Sequence, residues 1–438
     1  MSIAQIKKLN EKIPYWMKRP FAGIIRNKLI ENSLFQETYQ MLCQADKAGQ
    51  KEKERLQTEK LRETLRHAYH HTAYYRELFD SLRFDPETVT GPEQLEKLPV
   101  LTKRTLKERM NDRLADDIAD AYLVTTGGTT GEPTKVYMEK KAIYREWAFI
   151  YHFWSRYGYD YRKSRLATFR GVDMHGKISE INPLYAEIRL NPYLLNEDNF
   201  EQYLRLIERY RADFLYGYPS AIYNFCQIAR KKGISLTNRF KAALLISENL
   251  YPFQEEMIQS VLGCSVAIFY GHSERAVFAE RDERGYLFNA LYGVTQFAKD
   301  NTLLVTGFIN QKTPLIRYCV DDAVTRLPSG GYSVTGHWER EVLHGKRGER
   351  ISMAAINFHD DTFTLVKGYQ FVQDEVGKCT LRVVPERELS PGEIEKIHDR
   401  VMKKIGSGFE CQVVPVSALT LTGRGKGQLL IQNIKDQD

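Results

Sequence analysis

The chain lacks what would tie it to a membrane interior or to an oxidising compartment. No apolar run in its 438 residues reaches the roughly 20 residues needed to cross a bilayer. The start shows no small-residue cleavage site after an apolar core, so a secretory leader is not expected. Cysteine is scarce and scattered. Cys43, Cys226, Cys264, Cys319, Cys379 and Cys411 form no C-x-x-C pair, which excludes a zinc ribbon and a disulfide framework. Reduced thiols in a cytoplasmic protein are expected. Repeats and low-complexity tracts are missing, and with them a solenoid or fibrous architecture. An excess of one charge is nearly missing too. The net charge is +7, and residues 1–30 hold seven basic residues against Glu11 alone, which leaves +1 for everything else. A nearly neutral body argues against a broad nucleic-acid surface.

That basic start is the first positive feature. It interleaves Lys7, Lys8, Lys12, Lys18, Arg19, Arg26 and Lys28 with Ile13, Tyr15, Trp16, Met17, Phe21, Ile24 and Ile25. Such a segment suits peripheral contact with the inner face of an anionic membrane or with an acidic partner. A solvated helix packed on the body reads the same way. Hydrophobic residues make up 42%, ordinary for a globular protein, and the length implies two or three units.

Residues 32–82 read as helical, with Leu61, Leu65, Ala68 and Tyr69 at helical spacing. His67, His70 and His71 share that helix with no ligand partner visible in the sequence, so surface or packing roles are expected. From 121 to about 335 short apolar runs alternate with helical patterns, the mark of α/β layers. Strands are expected at Ala121–Thr125, Leu166–Phe169, Phe214–Tyr218, Ala242–Ile246, Val266–Tyr270 and Thr302–Thr306. Helices are expected at 140–157, 198–211, 219–232 and 252–262. The tail reads as strands near Tyr369–Gln373 and Lys378–Val384, a helix at 391–405 and a strand at Glu410–Val414, a small α+β unit of ferredoxin-like pattern.

The chemistry-bearing stretch is Thr125-Thr126-Gly127-Gly128-Thr129-Thr130-Gly131-Glu132-Pro133-Thr134, directly after a strand-like run. Glycines admit backbone N–H groups to an anion, and hydroxyls add donors. The pattern is not a Walker A sequence, because no Gly-Lys-Ser/Thr closes it. Further on, Tyr270-Gly271-His272-Ser273-Glu274 follows an apolar run, and Ser247-Glu248-Asn249 follows another. The segment Pro314-Leu315-Ile316-Arg317-Tyr318-Cys319-Val320-Asp321-Asp322 and the glycine-flanked Lys426 complete the set.

In this order the motifs resemble those of adenylate-forming, acyl-CoA synthetase-like enzymes. The segments Leu65–Tyr69, Tyr74–Phe79 and Leu98–Lys103 are similar to the opening of phenylacetate–CoA ligase-type proteins. Tyr216–Ser220 and Gln370–Gln373 look more like the capsular-polysaccharide-biosynthesis branch. The resemblance covers about residues 55–438 and implies a large layered α/β domain (55–340), a small mobile C-terminal α+β domain (341–438) and a basic, mostly helical extension (1–54). It implies that the Thr/Gly loop, Ser247, Glu248, Asn249, Tyr270, Gly271, Ser273 and Asp322 bind ATP. Asp322 would take the ribose and Tyr270 the adenine. Glu274 would hold Mg²⁺, and Lys426 would stabilise charge on the reacting groups. Tyr216, Tyr218, Pro219 and His272 would line an acid pocket. The sequence departs from the family at Asp321, where glycine is usual. It departs again at the hinge Gly345–Arg350, where Lys346 and Arg347 stand in for an arginine.

The implied activity is ATP-dependent formation of an acyl-adenylate, followed by transfer to a thiol such as that of CoA. A different acceptor, an amine or hydroxyl of a glycan precursor, and a non-catalytic nucleotide binder are the other readings. The expected partners are a carboxylic acid, a membrane surface for residues 1–30 and a second copy of the chain in a homodimer; nucleic acid is not among them.

Overall fold

The computed structural model describes residues 29–125, 135–170, 174, 177–192, 194–298, 301–335, 342–346, 350–352, 356, 365–421 and 428–434. The expectations for residues 1–28, 126–131, Arg347 and Lys426 lie outside the described residues. Three helices come first, α1 (Ser33–Ala48), α2 (Gln50–His71) and α3 (Ala73–Ser81), then the short α4 (Lys103–Glu108). Strands β1 (Ala121–Thr125) and β2 (Lys135–Glu139) precede helix α5 (Ala142–Ser155). The α/β stretch runs β3 (Leu166–Phe169), β4 (Ser179–Asn182), β5 (Glu187–Leu190), α6 (Phe200–Tyr210), β6 (Phe214–Gly217), α7 (Pro219–Lys231), β7 (Ala242–Leu245) and α8 (Pro252–Leu262). Seven strands follow: β8 (Ser265–Gly271), β9 (Phe278–Asp282), β10 (Gly285–Phe288), β11 (Gly293–Phe297), β12 (Thr302–Gly307), β13 (Tyr318–Arg326) and β14 (Tyr332–Thr335). The tail holds β15 (Val342–His344), β16 (Arg350–Ser352), β17 (Val366–Glu375), β18 (Lys378–Pro385), α9 (Pro391–Ile405), β19 (Glu410–Pro415) and β20 (Leu430–Gln432).

By internal contacts the chain divides into two compact units, each discontinuous in sequence. One lies within 164–267 and 336–438, the other within 21–163 and 268–335. In the second unit, α2 buries Leu61, Thr64, Leu65 and Ala68, one face at helical spacing. Thr72 ends this helix and starts the next. Its N–H reaches the Ala68 carbonyl, and its hydroxyl accepts from the Tyr75 N–H at 3.3 Å. The strands of this unit form an antiparallel array in the order β11-β12-β13-β14-β10-β9-β8. These strands were not anticipated from sequence beyond β8 and β12.

In the first unit, β7, β6, β3 and β5 run parallel, and β4 closes the edge antiparallel to β5. Every residue of β3, β6 and β7 is buried, which is why they read as continuous apolar runs rather than alternating ones. Helix α8 begins at Pro252 and ends at Gly263, whose φ of 62° suits a residue without Cβ. The tail forms a four-stranded sheet in the order β19-β18-β17-β20. Helix α9 lays Ile397, Val401 and Ile405 into the cluster that includes Phe371, Leu381 and Val383. Each such buried side chain contributes about 1.5–3 kcal/mol. Ser390 and Glu393 form a capping box at its start. The last strand, β20, was not anticipated. It pairs parallel with β17 from the far end of the chain, Phe371 opposite Leu430.

Parallel strands β3 and β6 come unusually close at their carboxyl ends. A Cβ built on Gly217 would stand 2.1 Å from the Phe169 carbonyl oxygen, which also accepts the Tyr218 N–H at 3.1 Å. The Gly217→Ala variant should therefore lose about 1–3 kcal/mol of stability. Urea denaturation measures this, and wild-type stability in the variant would contradict the close approach.

Candidate active site

The approach to β1 is held at several points within the second unit. The Asp116 N–H donates to the His71 carbonyl at 2.9 Å, and the Ala115 N–H to the Lys312 carbonyl at 2.9 Å. His67 Nε2 lies 3.2 Å from both oxygens of Asp117, and His71 Nδ1 lies 2.9 Å from Asp116. The histidines thus have carboxylate partners after all, 45 to 50 residues away in sequence. Strand β1 pairs antiparallel with β2, Thr125 opposite Lys135. The far end of β2 is fixed by Asn310, which accepts from the Glu139 N–H at 3.1 Å and donates to the Tyr137 carbonyl at 2.9 Å. The two strand ends bracketing the Thr/Gly loop are therefore anchored.

Strand β8 delivers Tyr270 at its end, and β13 delivers Asp322. The Tyr270 hydroxyl donates to Asp322 Oδ2 at 2.5 Å, and His272 Nε2 lies 3.0 Å from the same oxygen. The Tyr270 hydroxyl also contacts His272 Nε2. Burial and the Asp322 carboxylate push the Tyr270 phenol well above its usual range. For His272 burial opposes the charged form, but the Asp322 hydrogen bond and the charges of Asp322 and Glu274 prevail, so its pKa is raised. Its Nδ1 is buried with no hydrogen-bond partner among the described residues. Glu274 is itself buried, and the Tyr318 hydroxyl points to its Oε1 at 3.4 Å. Gly271 and Ser273 are exposed beside this cluster. Sequence reasoning missed Lys103, close enough to His272 to oppose its protonation. The Leu98–Lys103 segment is joined to β13 by the Leu101 N–H to the Arg317 carbonyl and by the Cys319 N–H to the Leu101 carbonyl, at 3.0 and 2.9 Å.

In the first unit three of the four expected pocket residues, Tyr216, Tyr218 and Pro219, lie at the carboxyl end of β6, while His272 belongs to the second unit. Tyr216 and Tyr218 are buried around Gly217, and Pro219 opens α7. Glu248 accepts from the Ser220 N–H at 3.0 Å, satisfying one open donor at the start of that helix. Ser247 takes φ 70°, a left-handed conformation uncommon for a residue with a Cβ, and Asn249 follows it. Sequence reasoning also missed Arg170, which follows β3 and donates to the Tyr216 hydroxyl at 3.3 Å. Its position directly after a strand was the available signal. Lys346, expected at the nucleotide, is engaged by Glu410.

The buried Gln370 and Gln373 have structural duties. Gln370 Nε2 donates to the carbonyls of Thr420 and Gln428 at 2.9 and 3.0 Å, and its Oε1 accepts from the Thr420 N–H at 3.1 Å. One side chain thereby clamps both flanks of the segment that contains Lys426. Gln373 bridges the N–H and C=O of His344 at 2.8 Å each.

No family model matches the chain. Protein CapK of Staphylococcus aureus is similar over 405 residues at 21% identity, covering 87% of this chain and 89% of CapK. Phenylacetate-coenzyme A ligase of Escherichia coli K12 is 35% identical over 83 residues, 18% of this chain and 19% of the ligase. A crystal structure of 2-hydroxyisobutyryl-CoA ligase in the postadenylation state, in complex with R3-HIB-AMP, superposes with a TM-score of 0.61 at 16% identity, over 86% of this chain and 89% of that one. That likeness establishes a mixed α/β fold of acyl-CoA ligase type, with a larger sheet ahead of a small C-terminal one. The chain is a relative of the adenylate-forming superfamily. Within it, the chain is distantly homologous to CapK and to phenylacetate–CoA ligase. No helix among the described residues is long and apolar enough to cross a membrane.

The His272–Asp322 pair predicts a pH signature. With a folded pKa above the ordinary value of about 6.5, His272 favours the folded state below that pH. This contribution fades as the pH rises through the folded value. Replacing Asp322 with Asn should move the imidazole titration downward, since burial then has less to oppose it. NMR titration of the ring reads this, and an unmoved midpoint would contradict the pairing.

Proposed function

We propose that the protein activates a carboxylic acid with ATP, forming an acyl-adenylate and pyrophosphate, and then passes the acyl group to a thiol such as that of CoA. The observation that carries this is the convergence of Tyr270, His272 and Asp322 on one carboxylate oxygen, with Glu274 buried beside them. Residues 52 positions apart, named by two motifs of one family, meet. The likeness of the fold to a ligase described with an acyl-AMP adds support.

In this reading an oxygen of the acid attacks the α-phosphorus, and the bond to the β-phosphate breaks. Thr125, Thr126, Gly127, Gly128, Thr129, Thr130 and Gly131 hold the departing phosphates through N–H and hydroxyl donors. Asp322 accepts from the ribose hydroxyls, Tyr270 faces the adenine, and Lys426 neutralises charge at the reacting centre. Glu274 fits Mg²⁺, which is commonly held by one or two carboxylates together with substrate phosphates. That ion would supply charge neutralisation on the phosphates. The acceptor sulfur then attacks the acyl carbon, and AMP leaves with one oxygen of the acid. Positioning and electrostatics suffice, with no nucleophilic side chain required. The division at 54/55 and 340/341, with a hinge near Gly345–Arg350 and a ferredoxin-like tail, belongs to this reading. The Tyr216–Ser220 and Gln370–Gln373 segments favour one variant, in which a glycan amine or hydroxyl replaces the thiol.

ATP–pyrophosphate exchange across a panel of carboxylic acids tests the reading. Exchange with at least one acid is expected; nucleotide binding with no exchange for any acid would leave a non-catalytic binder. Once an acid is known, Lys426→Ala should slow adenylation by about 100- to 1,000-fold. Transfer from a supplied acyl-adenylate should persist, and equal loss of both steps would refute the role of the lysine.

A further inference from the structure

Within the second unit, the end of α2 and the approach to β1 bring metal-type ligands together. His67 and His71 stand about one turn apart on α2, so their rings leave the same side of the helix. The ring centroids are 4.8 Å apart. Asp117 faces both. His67 Nε2 lies 3.2 Å from each Asp117 oxygen, and His71 Nδ1 lies 3.8 Å from Oδ1. Two imidazole nitrogens and one carboxylate oxygen thus fall within 4.8 Å of one another. Asp116, 2.9 Å from His71 Nδ1, offers a further oxygen.

Both sides of this group are held by the fold. The opposite side of α2 is anchored through buried Leu61, Leu65 and Ala68. The aspartates sit on backbone tied down by the Asp116 N–H to the His71 carbonyl and the Ala115 N–H to the Lys312 carbonyl, each at 2.9 Å. His67 is mostly buried, and its Nδ1 has no hydrogen-bond partner among the described residues. The polar contacts of that ring therefore run through Nε2. Ion pairing needs only one carboxylate for each ring, whereas both rings converge on Asp117, as ligands of a shared cation do.

The donor set selects the kind of ion. Mg²⁺ and Ca²⁺ prefer oxygen ligands, while imidazole with carboxylate suits Zn²⁺ and its neighbours. A tetrahedral zinc ion with bonds of about 2.0–2.2 Å spaces its ligand atoms by about 3.3 Å. The distances from Asp117 Oδ1 to the two imidazole nitrogens, 3.2 and 3.8 Å, bracket that spacing. We propose that His67, His71 and Asp117 bind a divalent transition-metal ion of the Zn²⁺ class, with Asp116 or water completing the shell. The ion fastens the end of α2 to the segment that enters β1. Its role is structural, and the site stands independently of the adenylation reading and of Glu274.

Calorimetry with ZnCl₂ tests this on full-length protein freed of metal by a chelator, in excess Mg²⁺ and without nucleotide. A single saturable site is expected. Removing even an outer partner of a metal ligand costs roughly 10- to 100-fold in affinity, so His67→Gln and Asp117→Asn should each weaken zinc binding by at least about 10-fold. His70→Gln, on the same helix but outside the group, should bind as the wild type does. Co²⁺ in place of zinc should give the intense visible bands of a tetrahedral site, lost in His67→Gln. Circular dichroism checks folding, and Asp117, an exposed side chain, can be changed without disturbing the packed side of α2. Absence of saturable zinc binding, or binding unaltered in Asp117→Asn, would overturn the proposal. Equal weakening in His70→Gln would mark unspecific histidine binding and overturn it as well.

Discussion

Charge withdrawn from water must be matched, and the clusters around Asp322 and Glu187 are organised by that requirement. Asp322 is matched by the Tyr270 hydroxyl and by His272, whose own protonation the carboxylate supports. Glu187 is matched by three donors from Thr168, Asn182 and Arg189. A lone buried carboxylate would cost several kcal/mol, so these networks fix the side chains that make them. The groups left incompletely matched, His272 Nδ1 and Arg170 Nε, are then informative. Each directly follows the end of a strand, β8 for His272 and β3 for Arg170.

Backbone placement serves the same chemistry. The Leu98–Lys103 segment is tied to β13, and the strands either side of the Thr/Gly loop are anchored to Asn310 and to each other. In the tail, Gln370 ties Thr420 to Gln428 across the Lys426 segment. A buried amide with two donors and an acceptor can hold two backbone strands at once. That duty explains why a fully buried position of β17 is polar.

The legible parts of the sequence were those whose signal is local. The fully buried strands at 166–169, 214–217 and 242–245 announced themselves as apolar runs, and α8 was bounded correctly by Pro252 and Gly263. The Tyr270–Glu274 and Asp322 motifs were each read separately from the sequence, and their mutual hydrogen bonds were not foreseen. Tyr270 had been assigned to adenine alone. The pairing of His67 with Asp117 depends on where the chain returns after fifty residues, which no helical pattern encodes. Strands β9 to β11 and β14 are short and partly exposed, so neither period 2 nor a continuous apolar run marked them. Arg170 stood in plain view after β3. Its hydrogen bond to Tyr216 came only with the pairing of β3 and β6.

The central claim is that an oxygen of the acid attacks the α-phosphorus of ATP. Isotope transfer measures this step itself. With an acid labelled by ¹⁸O in its carboxylate and a thiol acceptor, the AMP released should carry one ¹⁸O, read by mass spectrometry. Unlabelled AMP, or ADP and phosphate in its place, would contradict the account.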